Sequence, residues 1–230
     1  KRNLGARQAN TEYIAFIDSD AYPDQNWPAR GTDLLARHPE IDVVGGPDLP
    51  WPEEKGWSRL IGLASVSPLI SARSAYRKYR AKERDCPHLP SCNMIVRRQQ
   101  YLQLGGMEDA LQTGEDLDYC RRVTALGGRI RYSPNVTVFH RSRDFGLFVL
   151  QRAVYGASVW RLTQRGLKWG NIYLFAPGAA VLFLASAPIS LIFPTFAALQ
   201  AVGLILLVAI LSWETFRTSK QVSDLPGIFV

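Results

Sequence analysis

Two long stretches near the C-terminus that contain no charged residue place the strongest constraint on the fold. They cover residues 172–193 and 196–213 and are 22 and 18 residues long. A helix that crosses the hydrocarbon core of a bilayer needs about 20 apolar residues. Only Pro194 and Thr195 separate the two stretches. The sequence therefore predicts a transmembrane helical hairpin over residues 172–213, with a kink at Pro188 in its first helix.

Basic residues on both sides of the hairpin indicate its orientation. They are Arg161, Arg165 and Lys168 before it, and Arg217 and Lys220 after it. Because cytoplasmic flanks of membrane helices tend to be positive, we expect both ends and the preceding domain to face the cytoplasm. This predicts a multi-pass protein of the inner (cytoplasmic) membrane with a cytoplasmic tail over residues 214–230. A buried hairpin of a soluble protein and a re-entrant hairpin are the alternatives.

The chain before the hairpin carries charges throughout and is typical of a soluble domain. The 230 residues include 27 basic and 20 acidic side chains, which gives a formal net charge of +7. Such a charge suits anionic partners such as phospholipid headgroups or a phosphorylated substrate. Nucleic acid is not expected as a partner, because the basic residues lie beside apolar segments without a recognition helix or a stacking motif.

The sequence contains three cysteines, Cys86, Cys92 and Cys120, which indicate the redox state of the compartment. Their number is odd and no Cys-x-x-Cys pair occurs, so a disulfide framework is not expected and a reducing compartment is favoured. Cys86, His88 and Cys92 have a spacing that suggests zinc. A structural zinc site needs a fourth ligand, which the sequence does not supply there, so zinc is not expected either.

Apolar runs alternate with helical patterns along the first 150 residues. Residues 13–17 form a continuous apolar run, which predicts a strand buried on both faces of a parallel sheet. A second run covers residues 41–44, whereas residues 48–56 are rich in Pro, Trp and acid and are predicted to form a loop. The alternation predicts an α/β layer fold. The predicted helices are residues 28–37, 57–70, 99–104 and 117–126.

Two carboxylates, Asp18 and Asp20, directly follow the first apolar run. Ligands of open α/β sheets bind at the carboxyl ends of strands. Oxygen ligands placed there suit Mg²⁺ or Mn²⁺. Two like charges about 4 Å apart repel by roughly 4 kcal/mol at an effective dielectric near 20, so a diphosphate would need a divalent cation between itself and these acids. The same pattern also occurs in plain turns, which is the alternative interpretation.

A second acidic group, Gly114-Glu115-Asp116-Leu117-Asp118, lies where a helix is predicted to begin. Acids favour the first helical turn because they complement the helix dipole, which is a purely structural interpretation. In the functional interpretation, Asp116 is a general base that takes a proton from an acceptor hydroxyl. Asp118 and Arg122 are four residues apart and are expected to pair on one helix face, which leaves Asp116 unpaired.

In their order and spacing, these motifs resemble glycosyltransferase family 2. The resemblance covers about residues 1–155, and His140 and Gln151-Arg152 match more loosely. The matching segments are Arg2-Asn3-Leu4-Gly5, Glu12 to Asp20, Ser91 to Arg98, Leu104-Gly105-Gly106-Met107 and Gly114 to Asp118.

The resemblance implies a nucleotide-diphospho-sugar transferase domain of the GT-A fold over residues 1–155. A basic, amphipathic linker over residues 156–171 would join it to the transmembrane hairpin. The implied activity is a metal-dependent, inverting sugar transfer from a nucleotide-diphospho-sugar, with Mg²⁺ or Mn²⁺ as the cofactor. Membrane association favours a lipid-linked or polysaccharide acceptor at the cytoplasmic membrane face.

The resemblance also implies a role for individual residues. Asp116 would be the catalytic base, and Asp18, Asp20 and His140 would be the metal ligands. The implied donor- and cofactor-binding residues are Asp18, Asp20, Asn93, Glu115, His140 and Arg143.

The chain departs from the family pattern at its start, because no strand of the Val-Ile-Ile-Pro type and no early Asp come before the first acidic motif. We therefore expect an N-terminally truncated domain, whose nucleotide pocket a missing segment or a partner chain completes. The alternative is a noncatalytic membrane scaffold or an inactive fragment that keeps the fold. The apolar helix over residues 57–70 and the basic run over 73–84 are expected either on a lipid surface or as a lid on the core.

Overall fold

The structure is a computed structural model that describes residues 1–111, 114–163 and 175–222. It divides into two compact units, Lys1–Arg143 and Asp144–Ser219. The first unit contains eight strands and six α-helices within its described residues. Its strands are β1 (Tyr13–Phe16), β2 (Ala21–Pro23), β3 (Ile41–Gly45), β4 (Asp48–Pro50), β5 (Arg84–Asp85), β6 (Met94–Arg97), β7 (Arg129–Tyr132) and β8 (Val138–His140).

Helices of the first unit follow most of the predicted pattern. Two short 3-10 helices, Ala72–Lys78 and Ser91–Asn93, complete the unit. The α-helices are α1 (Arg2–Gln8), α2 (Trp27–Arg37), α3 (Gly56–Ala64), α4 (Pro68–Ser71), α5 (Arg98–Gln103) and α6 (Glu115–Ala125).

A five-stranded mixed sheet has the order β1-β6-β3-β7-β5. Strands β3 and β7 are parallel, and the other neighbours are antiparallel. The central strands are buried on both faces, as the zero exposure of Val43, Val44, Ile95 and Val96 indicates. The α/β class predicted from the sequence is confirmed, although the sheet is mixed rather than parallel.

Strand β1 corrects the expectation of a strand that is buried on both faces. It lies at an edge of the sheet and pairs with β6 in the antiparallel direction. Ala15 is exposed, and Ile17, just after the strand, is 37% exposed. The apolar run is partly uncovered because the described residues place a strand on only one side of it.

A second, three-stranded sheet has the order β2-β8-β4. Strand β4 lies inside the stretch predicted as a loop, and it runs parallel to β8. Its register places Asp48 opposite Val138, so β4 gains a partner that lies 90 residues away in sequence. A long-range pairing of this kind leaves no periodic pattern in three residues, which is why the sequence did not indicate it.

The predicted helix over residues 57–70 is interrupted. Helix α3 ends at Ala64 and α4 begins at Pro68. Proline has no backbone N–H and disfavours a helical residue before it, which accounts for the break. Trp57 and Leu60 are 61% and 57% exposed, so the apolar face of α3 is only partly covered by the first unit.

The second unit has only helices as regular secondary structure within its described residues. It contains α7 (Phe145–Thr163), α8 (Ala176–Ala185), α9 (Ala187–Ser190) and α10 (Pro194–Val222). Helix α7 crosses the predicted domain boundary at residue 155, so residues 156–163 of the predicted linker are helical. Residues 164–171 of that linker lie outside the described residues, as do the start of the predicted hairpin at 172–174 and residues 223–230 of the predicted tail.

One helix in the described part of the chain is long and apolar enough to cross a membrane, namely the 25 residues Pro194–Thr218 of α10. The first predicted span begins in residues outside the described part of the chain, so two spanning helices stay a prediction. The described part of the first predicted span is divided into α8 and α9, and Pro188 at the start of α9 has no N–H to continue the helical bonding. Helix α10 instead extends past the predicted end at residue 213.

Helices α8, α9 and α10 nevertheless fold back on one another. Gln200 of α10 is 7% exposed, and its amide donates to the carbonyl of Phe183 at 3.1 Å. The Ser190 hydroxyl donates to the Gln200 side-chain oxygen. A Cβ at Gly203 would lie 2.5 Å from the Phe183 ring, so glycine allows the close approach of the helices. Small residues and interhelical hydrogen bonds of this kind are typical of helix packing in membranes.

Candidate active site

The acidic turn over residues 18–20 connects the two sheets, because it follows β1 and leads directly into β2. Strand β2 pairs with β8 so that Ala21 lies opposite His140. This register brings the His140 Nε2 atom 3.8 Å from Asp18 Oδ2 and 3.5 Å from Asp20 Oδ1. The three residues predicted as metal ligands therefore lie together.

Hydrogen bonding orients His140 within this group. Its Nδ1 atom lies 2.9 Å from the Arg141 carbonyl oxygen, which only accepts, so Nδ1 carries the proton. The Nε2 atom then faces the carboxylates. Burial lowers the pKa of His140, but the charges of Asp18, Asp20 and Asp48 outweigh it and raise the pKa above its ordinary value.

Asp18 is held in its ionised form by two cations. Its side chain bonds to His140 and to Arg2, and together these lower the pKa of Asp18 against the opposing effect of burial. Its side chain is 33% exposed, whereas that of Asp20 is 52% exposed. The Asp18 carboxylate is therefore ionised, and the Asp20 carboxylate is accessible to solvent. Cation binding requires both properties.

Cys92 is a further neighbour that the sequence did not assign to this group. Its Sγ atom and the ligand atoms of Asp18 and His140 all lie within 4.8 Å of one another. The cause is the pairing of Phe16 with Met94, which places the 3-10 helix before β6 beside the end of β1. Burial raises the pKa of the Cys92 thiol, which keeps it protonated. Two carboxylates and an imidazole fit Mg²⁺ or Mn²⁺, which prefer oxygen, better than a neutral thiol does.

Asp116 lies at the start of α6, after Gly114, whose φ of 84° turns the chain into the helix. It is not unpaired, as the sequence suggested. Its carboxylate accepts from the backbone N–H of Leu117 at 2.7 Å and of Ser91 at 3.2 Å, and His88 Nε2 lies 3.5 Å away. Burial raises the pKa of Asp116, but His88 and the two N–H groups outweigh it and bring the pKa below its ordinary value.

Arg2 joins the acidic turn to the acidic start of α6. Its guanidinium bonds to Asp18 at 2.8 Å and to Glu115 at 3.0 Å. The loop over residues 91–93 makes a second connection, since Ser91 donates to Asp116 and Cys92 lies beside Asp18. The two acidic motifs, which are almost 100 residues apart in sequence, therefore border the same region.

The expected pair of Asp118 and Arg122 is present. Arg122 Nε donates to Asp118 at 2.9 Å, and the same guanidinium donates to the Gly106 carbonyl at 2.7 Å. Asp118 thus supports the contact between α6 and the glycine turn after α5, which leaves Glu115 and Asp116 as the acids of this helix that border the site.

Comparison with known proteins shows what this chain is similar to. The family described as "Glycosyl transferase family 2" matches residues 1–105. Over these 105 of its 230 residues, the chain is similar to glycosyl transferase family 2. The pre-mycofactocin glycosyltransferase of Mycobacterium tuberculosis is 25% identical over 177 residues, which are 71% of this chain and 34% of that protein. Glycosyltransferase AglE of Haloferax volcanii is 25% identical over 190 residues, which are 81% of this chain and 59% of that protein.

The fold has a counterpart among solved structures. The mannosyltransferase PcManGT from Pyrobaculum calidifontis, solved in complex with GDP-Man and Mn²⁺, matches with a TM-score of 0.56 and 18% identity. The match covers 97% of this chain and 64% of that chain. It confirms the predicted GT-A-like fold. The chain spans about a third of the length of the mycobacterial relative and about three fifths of the archaeal one.

Asn3 has a structural part in the first unit. Its amide donates to the Met107 carbonyl at 2.7 Å, and its oxygen accepts from the Tyr101 hydroxyl at 2.6 Å. Gly106 has a φ of 73°, and a Cβ there would lie 2.3 Å from the Asn3 side chain. The Arg2-Asn3 and Gly105-Gly106 segments quoted from the sequence therefore pack together, which holds Arg2 at the site.

Asn93 is placed differently from the expectation that it contacts the donor. It is fully buried, and its side chain accepts from Trp27 Nε1 at 2.8 Å and donates to the carbonyls of Pro47 and Val136. Its hydrogen-bonding groups are thus occupied by the protein. In this structure Asn93 positions the loop that carries Ser91 and Cys92, and contact with a donor would require that loop to rearrange.

The remaining predicted residues lie at the border of the site. Glu115 is bonded to Arg2, and Arg143, three residues after His140, is exposed. Sequence reasoning assigned no role to Arg2 or His88. Arg2 stands in a segment that carried the family resemblance, so that segment could have indicated it. His88 lies in a loop without periodicity, and the sequence offered only its spacing from two cysteines.

Proposed function

We propose that this protein is an inverting glycosyltransferase that moves a sugar from a nucleotide-diphospho-sugar to an acceptor hydroxyl. The observation that carries the proposal is the meeting of the acidic turn and Asp116 at one region, with Arg2 between them. Similarity to glycosyl transferase family 2 over residues 1–105 and a fold like that of a mannosyltransferase solved with GDP-Man and Mn²⁺ support the class of donor.

On the donor side, Asp18, Asp20 and His140 would hold Mg²⁺ or Mn²⁺. When bound, the cation neutralises the charge of the diphosphate leaving group. The Nδ1–H of His140 is fixed on the Arg141 carbonyl, an arrangement that leaves Nε2 available, as in most metal-binding histidines. Arg2 keeps Asp18 ionised and thereby favours cation binding.

On the acceptor side, Asp116 would accept the proton of the acceptor hydroxyl while that oxygen bonds to the anomeric carbon. The bond from the anomeric carbon to the diphosphate oxygen breaks, and its electron pair leaves with the nucleoside diphosphate. Displacement from the opposite face inverts the anomeric configuration. The lowered pKa keeps Asp116 ionised at neutral pH, which a base requires.

We further propose that α10 anchors the protein at the cytoplasmic face of the inner membrane and that the acceptor is lipid-linked or a polysaccharide. Only 6% of the apolar window of α10 is buried, so this helix is not the covered core helix of a soluble unit. Leu199 and Ile205 are each 69% exposed. The exposed Trp57 and Leu60 of α3 add a second apolar surface that suits a membrane interface.

We also propose that a further segment or a partner chain completes the nucleotide pocket. The outer edge of β1, which pairs with no strand among residues 1–111, 114–163 and 175–222, offers backbone groups to which such a strand could add.

The proposal is tested by sugar transfer with the full chain in detergent or nanodiscs. We expect Mn²⁺-dependent transfer from a nucleotide-diphospho-sugar by the parent protein. Asp116→Asn should lower kcat by about 10²–10⁴-fold, the usual contribution of a general base, while donor binding stays near the parent value. Asp118→Asn on the same helix is the matched control, and it should keep kcat within about threefold because surface changes of this kind have small effects.

Two outcomes would count against the proposal. Transfer by Asp116→Asn at the parent rate would contradict the base assignment. A folded parent protein that neither binds nor turns over any nucleotide-diphospho-sugar would favour the alternative of a noncatalytic membrane scaffold.

A further inference from the structure

Arg77 is half-buried, and two nitrogens of its guanidinium are buried without a hydrogen-bond acceptor among the described residues. It lies in the 3-10 helix Ala72–Lys78, and its Nε and Nη1 atoms are buried. Across the described parts of the chain, neither atom has a hydrogen-bond partner. A guanidinium carries five N–H donors, and burying such a charge without a partner is unfavourable. These two unpaired buried nitrogens therefore call for an explanation.

The residues on either side of Arg77 fix its position. The Tyr76 hydroxyl donates to the His88 carbonyl at 3.1 Å, and His88 is the residue beside Asp116. Lys78 bonds to Asp48, whose charge acts on His140. One neighbour of Arg77 is thus tied to the Asp116 side of the site and the other to the side of the acidic turn.

The charge of Arg77 acts on the inner wall of the site. Burial raises the pKa of each of the thiols Cys86, Cys92 and Cys120, and the guanidinium of Arg77 acts in the opposite direction on all three. Cys92 lies beside Asp18 and His140, and the charge of Asp116 acts on Cys120. Through its neighbours Tyr76 and Lys78, Arg77 belongs to a segment that contacts both sides of the site.

Among the described residues, Arg77 Nε and Nη1 bond to none of the acids of the site, and each of these acids has another basic side chain within 4 Å. Asp48 bonds to Lys78, Asp116 lies 3.5 Å from His88, and Asp18 bonds to Arg2 at 2.8 Å. The buried Nε and Nη1 donors of Arg77 are left for an anion that the described residues do not supply.

We propose that Arg77 binds a phosphate group of a ligand in the site. This inference rests on the proposed function, which supplies two sources of that chemistry: the diphosphate of the sugar donor and the phosphate of a lipid-linked acceptor. A guanidinium suits either one, because its planar fork donates two parallel hydrogen bonds to phosphate oxygens.

Stability gives the first test. Arg77→Met keeps the length and the apolar stem of the side chain and removes the unpaired charge. We expect the Tm of the full chain without ligand to rise by roughly 2–4 °C, because replacing an uncompensated buried charge by an apolar group is stabilising. If Arg77 instead stabilised the fold through a contact with a neighbouring acid, the Tm would fall, which would contradict the inference.

Binding gives the second test, with inorganic pyrophosphate plus Mn²⁺ as the donor probe and a short-chain polyprenyl phosphate as the acceptor probe. Arg77→Gln should weaken binding of one probe by about 10–100-fold, the range expected for losing a charged hydrogen bond. Arg77→Lys, which keeps the charge but not the fork, should lie between Gln and the parent. The exposed Arg80→Gln is the matched control and should bind both probes like the parent.

The two probes identify the source of the phosphate, and transfer separates this inference from the proposed function. A loss confined to pyrophosphate assigns Arg77 to the donor, and a loss confined to the polyprenyl phosphate assigns it to the acceptor. Arg77-dependent binding without any sugar transfer would support the inference while the proposed function fails. Parent-like binding of both probes by a folded Arg77→Gln variant, or a parent that binds neither probe, would overturn it.

Discussion

The acidic turn and Asp116 border one site but differ in side-chain exposure and in the groups that bind their carboxylates. The side chains of Asp18 and Asp20 are 33% and 52% exposed, and their partners are the long or titratable side chains of Arg2 and His140. The Asp116 side chain is 19% exposed and accepts from two backbone N–H groups. A group that gathers a cation and a soluble donor needs accessible oxygens, whereas a base that meets one acceptor hydroxyl needs a fixed direction.

Each of these acids lies beside a histidine, and the two histidines differ as well. His140 is fixed through its Nδ1 proton and presents Nε2 to two carboxylates. His88 presents Nε2 to Asp116 alone, and its carbonyl accepts from Tyr76. Under the proposed function, His140 and its two carboxylates would share a cation, whereas His88 sets the charge of one acid.

The largest effect on donor binding is expected at the exposed acidic turn over residues 18–20. Asp20→Ala should weaken Mn²⁺-dependent donor binding by at least about 100-fold, since loss of even an outer partner of a metal ligand costs 10–100-fold. Asp24→Ala, an acid just after β2 that pairs with Arg30, is the control. Isothermal titration with and without Mn²⁺ measures the effect, and unchanged Mn²⁺ dependence in Asp20→Ala would break the assignment of the turn.

A smaller effect is expected at His88. His88 lowers the pKa of Asp116, so His88→Gln should raise that pKa and move the acid limb of the kcat profile to higher pH. Rates near neutral pH should change less than about tenfold, because a one-unit change in pKa alters the ionised fraction by at most that factor. The pH profile of transfer measures this, with His38→Gln, an exposed histidine after α2, as the control. An acid limb that stays in place would mean that His88 does not set the charge of Asp116.

Arg2 should show a milder effect, because its ion pairs are partly exposed. Arg2→Gln should lower the free energy of unfolding by about 0.5–1 kcal/mol, the range for exposed pairs. It should also weaken Mn²⁺ binding severalfold, since Arg2 keeps Asp18 ionised. Arg7→Gln, at the exposed end of the same helix, is the matched control. If Arg2→Gln and Arg7→Gln changed Mn²⁺ affinity equally, this would contradict an effect of Arg2 on Mn²⁺ binding through Asp18.

The smallest effect is expected at Cys92. Although its thiol lies within 4.8 Å of the Asp18 and His140 ligand atoms, its raised pKa keeps it neutral. Cys92→Ser should therefore change Mn²⁺ affinity by less than about threefold, in line with the preference of this ion for oxygen. Mn²⁺ titration followed by electron paramagnetic resonance measures the affinity. A loss of tenfold or more in a variant with the parent Tm would make Cys92 a ligand.

The sequence predicted those parts of the fold and site that depend on local pattern. The helices around residues 27–37 and 115–125 and the strand 41–45 follow from apolar periodicity and from glycines at their ends. The acidic turn and Asp116 stand at element ends, where sequence motifs are informative. The interrupted helix after Ala64 is a local feature as well, since Pro68 marks the break.

The parts that the sequence did not indicate depend on long-range pairing. Strand β4 exists because β8 lies beside it, and β1 is an edge strand because of the sheet order rather than its own composition. The contact of His88 with Asp116 depends on how a loop returns to α6. For the same reason, the basic run over residues 73–84 gave no sign that Arg77 points inward while Arg80 is exposed.

The central claim is that the acidic turn and Asp116 serve one bound donor from two sides. The most direct measurement is a crystal structure of the full chain with Mn²⁺ and a non-hydrolysable nucleotide-diphospho-sugar, with an anomalous map at the manganese edge. We predict a manganese peak in contact with Asp20 and His140, and an anomeric carbon that faces Asp116. A manganese peak away from this turn, or a sugar bound with its anomeric carbon turned away from Asp116, would contradict the account.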